Sequence, residues 1–179
     1  MDAGMELYHF SEEPDIQIFV PRLLPAAHRA GRTDVDVPLV WAIDEEHAPL
    51  YYFPRNCPRI AFWPRPDTTP EDRERWWGER RCSMVACVEW AWLDRLRETR
   101  LYRYTMPPEL FRFHSVPGTW VSREAVVPQA VEPVGDLLEA LRSAGVELRF
   151  MPSLTPLRGM WDTTMHTSGI RLRNAQGWE

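Results

Sequence analysis

Residues 40–59, VWAIDEEHAPLYYFPRNCPR, concentrate the residue types that hold a flat anion. Arg55 and Arg59 stand between prolines, beside Tyr51, Tyr52 and Cys57. A guanidinium pairs with a phosphate through parallel N–H···O bonds, and an aromatic face stacks on a base. Pro58 interrupts any helix, so the two arginines either converge on one phosphate or each pair with a carboxylate such as Glu45 or Glu46. Trp41 and Tyr52 supply the flat surfaces of such a pocket. Near the start of the chain, LYHFSE places His9 and Ser11 on one face of a strand, with Tyr8 and Phe10 on the other. An imidazole and a hydroxyl side by side suit a ribose or an amide.

A third region is WVSREAVVP, residues 120–128, where Trp120, Ser122 and Glu124 alternate onto one strand face. A carboxylate beside a ribose stabilises positive charge developing at the anomeric carbon, the logic of glycosyl-bond cleavage. Glu89, between Trp90 and Trp92, is a second carboxylate of this kind. The plainer reading of each feature is structural: a strand-edge histidine bonded to a carbonyl, or a solvated Arg123/Glu124 pair. Asp44, Glu45, Glu46 and His47 fit an acidic helix start better than a metal site, because no second histidine lies at ligand spacing. Cys57 is a nucleophile only with a base beside it, and the sequence offers none. Arg171 and Arg173 alternate as on the solvated face of a strand.

These groups need positioning elements. Strands are expected at residues 6–10, 39–43, 59–63, 83–90, 101–106, 111–116, 119–122 and 146–151, where apolar and aromatic residues run or alternate. Asp44 is placed to cap a helix over residues 45–52, and Thr69 one over 70–79. A short helix is expected at 92–98. The clearest helix pattern covers residues 131–143, with Val134, Leu137, Leu138 and Leu141 on one face and Gly145 just beyond. Residues 28–36 read as a polar loop, and the chain after Pro152 as irregular until residues 170–173. Short strands, few helices and no βαβ rhythm predict an α+β fold with a compact, twisted, mainly antiparallel sheet.

The chain has 179 residues, which favours one domain over 1–179 with a sizeable core. The net charge of -5 argues against general nucleic-acid binding while leaving a local basic pocket open. No apolar run is long enough for a membrane span, and the N-terminus lacks a secretory pattern. Three irregularly spaced cysteines fit a reduced, cytoplasmic protein, and without CxxC or HExxH no metal is expected. Oligomeric state is not legible.

Taken together, LYHFSE, VWAIDEEHAPLYYFPRNCPR, EWAWLDRLRETRLYRY, WVSRE, VEPVGDLLEALRSAGVELR and SGIRLRNA resemble an uncharacterised bacterial family, a domain of unknown function, over roughly residues 7–175. Three short segments also resemble the ADP-ribosyltransferase fold, including its RNA 2′-phosphotransferase branch. That likeness implies an NAD or nucleotide substrate, with His9 at the ribose and residues 40–52 as the nicotinamide wall. Glu124 would be the catalytic glutamate, although it lies four residues into its strand rather than at its start. Three readings stay open: an ADP-ribosyltransferase-like enzyme, a non-catalytic module for a small anionic or nucleotide-like ligand, and an interaction protein whose aromatics are core.

Overall fold

The computed structural model describes residues 4–24 and 36–178. The polar loop expected at residues 28–36 therefore lies, apart from Asp36, outside the described residues. The chain forms two compact units, one from residues 1–49 and 100–134, the other from 50–99 and 135–179. The class is α+β, as the pattern of short elements predicts, and the strands divide between two sheets rather than forming one.

The first unit is built on a six-stranded antiparallel sheet. Its strands are β1 (Leu7–Ser11), β2 (Val40–Asp44), β5 (Tyr102–Met106), β6 (Arg112–Phe113), β7 (Thr119–Ser122) and β8 (Ala130–Pro133). Their order is β6-β7-β2-β1-β5-β8. Pairing of His9 with Tyr104 and of Ala42 with Trp120 puts these four side chains on one face. That face carries the core of Leu7, Val40, Ala42, Tyr104 and Met106, closed by Phe19, Phe111 and Val126. Residues 12–20 are drawn over it by Tyr104, whose hydroxyl donates to the Glu13 carbonyl and accepts from the Ile16 amide at 3.1 Å. A bridge between Phe19 and Val126 pins the cover down.

The second unit holds a four-stranded sheet of order β10-β3-β4-β9. It comprises β3 (Arg59–Trp63), β4 (Met84–Glu89), β9 (Val146–Met151) and β10 (His166–Ile170), and only the β4–β9 pair is parallel. All six residues of β4 are buried, which explains its nearly continuous apolar run. Ile60, Phe62, Val85 and Cys87 form one core with Trp77, Leu154 and Met160. The helices are short: α1 (Pro70–Asp72), α2 (Leu93–Glu98) and α3 (Leu137–Ser143).

Local chemistry explains where pattern and structure part. The helix expected over 131–143 is a strand followed by a shorter helix. Ala130–Pro133 pairs with β5, Gly135 turns the chain at φ +85°, and Asp136 caps α3 by accepting from the Glu139 amide at 2.8 Å. The helix expected over 45–52 is a turn followed by a 3-10 helix at Ala48–Tyr51. Thr69 does cap its helix, but beyond α1 the chain continues as a π-helical turn, Arg73–Trp77. The stretch after Pro152 is ordered into a 3-10 helix (Thr155–Asp162) and β10, an edge strand whose sequence, HTSGI, lacks apolar alternation.

Gly118 shows how tightly the first unit closes. It sits at φ +76°, and a Cβ there would lie 2.4 Å from His47 Cγ. His47 cannot move away freely, because its amide (3.0 Å) and Nδ1 (2.7 Å) both meet Asp44 Oδ1. Gly118→Ala is therefore expected to lose about 2 kcal/mol or more of stability in urea denaturation, from left-handed strain plus overlap. In a His47→Gly background the same change should cost only the strain, about 1 kcal/mol.

Candidate functional site

The arginines singled out by sequence lie in the second unit. Pro54 and Pro58 force residues 53–58 into an irregular loop that delivers Arg59 to the first position of β3. Arg59 is 3% exposed. Its Nε donates to the Leu50 carbonyl and its Nη1 to the Cys57 carbonyl, both at 3.0 Å. The guanidinium also lies over the rings of Phe53 (5.1 Å) and Tyr51 (5.6 Å). Among the described residues no carboxylate pairs with it. Burial lowers its pKa to about 10, and the charge of Arg171 adds to the depression.

Arg171 was not expected here. Sequence alternation put it on a solvated strand, but β10 ends at Ile170, whose partner across the ladder is Arg59. Arg171 then takes a left-handed conformation, φ +57°, the one non-glycine residue to do so among those described. That conformation costs an L-residue about 1–2 kcal/mol. It sends Nε to the Arg55 carbonyl at 3.2 Å, while Asn174 Nδ2 donates to the Asn56 carbonyl at 2.7 Å. The segment after β10 thus straps the loop before β3. The Arg171 pKa is lowered by burial first, then by the charges of Arg173 and Arg55. Arg55 itself is exposed, and its guanidinium forms no ion pair with a described residue. Arg55, Arg59, Arg171 and Arg173 therefore make a positive corner at one end of the sheet, in a chain whose net charge is -5.

Glu89, at the end of β4, is 2% exposed and its Oε1 accepts from the Gln176 amide at 2.9 Å. It anchors the segment that follows Arg171–Asn174 and so helps place the strap. Tyr51 flanks Arg59. Burial of its hydroxyl raises its pKa, while the charges of Arg59 and Arg171 pull it down less strongly. Tyr52 is half-buried in the same loop.

The other sequence candidates belong to the first unit. His9 Nδ1 meets the Trp41 carbonyl at 2.8 Å, and its ring packs 4.6 Å from Phe19. The Trp41 indole points to the opposite face of the sheet, 5.1 Å from the His114 ring, so Trp41 and His9 do not face one ligand from the same side. Trp120 shares the face of His9 and meets Phe113 edge-on at 5.6 Å. Both indole N–H groups, of Trp41 and Trp120, are buried without a hydrogen-bond acceptor. Ser11 Oγ accepts from the Glu13 amide at 3.1 Å, a local turn bond. Ser122 makes the same turn to the Glu124 amide at 3.2 Å, which leaves the Glu124 side chain exposed on a bend after β7. Structure thus groups His9, Ser11 and Trp120 on one face of the first sheet, and Tyr52 and Arg55 in the loop of the second unit that leads to Arg59 at the start of β3.

Among the described residues, no three His, Cys, Asp or Glu side chains are grouped to hold a metal ion. No helix among them is long and apolar enough to cross a membrane. Residues 8–175 match the model of a family of unknown function, DUF6886. No curated protein and no solved structure matches the chain.

Cys57 lies inside the arginine loop, fully buried, and burial pushes its thiol up to about 12. Cys87 is likewise buried, its thiol raised to about 11, whereas Cys82 is only half-buried. The thiolate is the species that alkylates, so at pH 8 iodoacetamide should label Cys82 well ahead of Cys57 and Cys87. Peptide mass mapping of the folded protein is the check, and denaturant should expose all three.

Proposed function

Since the chain belongs to this family of unknown function, we propose its role from its chemistry: it is a module that binds a small anionic ligand at Arg55, Arg59 and Arg171. One observation carries the reading, the buried Arg59 guanidinium that no carboxylate among the described residues neutralises. Taking such a charge out of water costs several kcal/mol, which two carbonyl bonds and two aromatic faces offset only in part. A bound anion completes the compensation. The left-handed backbone of Arg171 supports the same reading, because strain of this kind persists where a side chain must be aimed. Three free cysteines, two of them buried, support residence in a reducing compartment such as the cytoplasm.

A second reading, an ADP-ribosyltransferase-like enzyme acting on NAD or a nucleotide, draws support from His9, Ser11 and Trp120 sharing one sheet face. Its readout is NAD cleavage that disappears in Glu124→Gln.

The test of the anion site uses phosphate and pyrophosphate. Arg171→Gly removes the guanidinium and its bond to the Arg55 carbonyl but also relieves the left-handed strain, so the two effects on stability offset each other and the variant should melt close to the parent. A charge-assisted bond contributes about 1.5–3 kcal/mol, so anion affinity should fall about tenfold or more. Arg55→Ala should weaken binding with little loss of stability. Thermal shift reports both quantities, since a ligand at a hundredfold excess over its Kd stabilises by about 2.7 kcal/mol. Equal affinity in parent and variants, or no shift with either anion, overturns the reading.

A further inference from the structure

Trp90 opens the 3-10 turn directly after Glu89 and is 55% exposed. Its ring stacks on Phe150, with centroids 4.8 Å apart and planes at 26°. One face of the indole is thus backed by a rigid partner. An exposed tryptophan held flat in this way is a stacking surface rather than a core residue.

Its place in the sheet connects it to the arginine corner. Ile170, Arg59, Val88 and Phe150 form one row across β10, β3, β4 and β9, with their side chains on a common face. Two strand spacings separate Arg59 from Phe150, about 10 Å. Trp90 lies beyond Val88 along β4, at the end of the sheet where the loop of Arg55 and Cys57 enters β3 and where β10 gives way to Arg171. Val88 is fully buried, so a ligand bridging the two features passes around the sheet end rather than over the row.

A phosphate alone satisfies the arginines and leaves the platform empty. A flat ring without charge does the reverse. We propose that the ligand of this site is a nucleoside phosphate, with its phosphates at Arg55 and Arg171 and its base stacked on Trp90. The inference rests on the anion-binding reading and adds the base. Stacking accepts any base, because each has a π face, so Trp90 sets affinity without selecting among purines and pyrimidines. Arg95, over the Trp92 ring at 5.9 Å, stands on the helix that follows the platform and adds positive charge on that side.

Isothermal titration of the full chain with pyrophosphate and with ADP separates the two layers of the argument. In the parent protein ADP should bind more tightly than pyrophosphate. Trp90→Ala should leave pyrophosphate binding unchanged and lower ADP affinity roughly tenfold, toward the pyrophosphate value. Trp90→Phe should restore part of the difference. If ADP binds no better than pyrophosphate, or Trp90→Ala leaves ADP affinity intact, the base platform is wrong while the anion site stands. If neither ligand binds the parent protein, both readings fall together.

Discussion

A buried guanidinium that pairs with no carboxylate among the described residues is the constraint around which the second unit is arranged. Arg59 is out of water, and carbonyls and ring faces are brought to its charge. Those carbonyls belong to Leu50 and Cys57, so the loop before β3 must fold back on its own arginine. The proline pair at positions 54 and 58 makes that return inexpensive, since the ring torsions are already restricted in the unfolded chain. The same loop then needs a second fastening, and the segment after β10 supplies it through Arg171 and Asn174.

That fastening depends in turn on a buried carboxylate. Glu89 ends the fully buried strand β4 and accepts the Gln176 amide, which fixes the chain on the far side of the strap. Charge is thereby sorted rather than paired. The buried acid holds backbone, while burial first, and neighbouring arginine charges second, lower the pKa values of Arg59 and Arg171 at the same sheet end. Arginine charges thus gather at this end of the sheet, and the proposed anion site rests on that gathering.

The first unit solves a different problem. Its sheet must cover one face with a segment that has little regular structure, and Tyr104 does this by bonding residues 13 and 16 from below. His9 and Ser11 are involved in that local architecture: the histidine meets a neighbouring strand carbonyl and the serine closes a turn. Ser122 repeats the serine turn just before Glu124. Their chemistry is thus partly committed to the backbone, which is why the arginine corner carries the functional reading.

By itself the sequence determined the α+β class and most strand positions, and it singled out Arg55 and Arg59, because these follow from local pattern and from residue chemistry. The runs at β3, β4 and β9 are apolar for the reason that they are buried, and prolines around two arginines mark a shaped loop at any location. It misjudged residues 131–143, where helical spacing was outweighed by a free strand edge and by Gly135. It could not show that Trp41 and His9 point to opposite faces without knowing the register of β2 on β1. Nor could it join Arg171 to Arg59, or Trp90 to Phe150. Those meetings are made by ladder pairings between segments far apart in the chain, and only the tertiary structure decides such pairings, since register is set by cores and turns that no single segment contains.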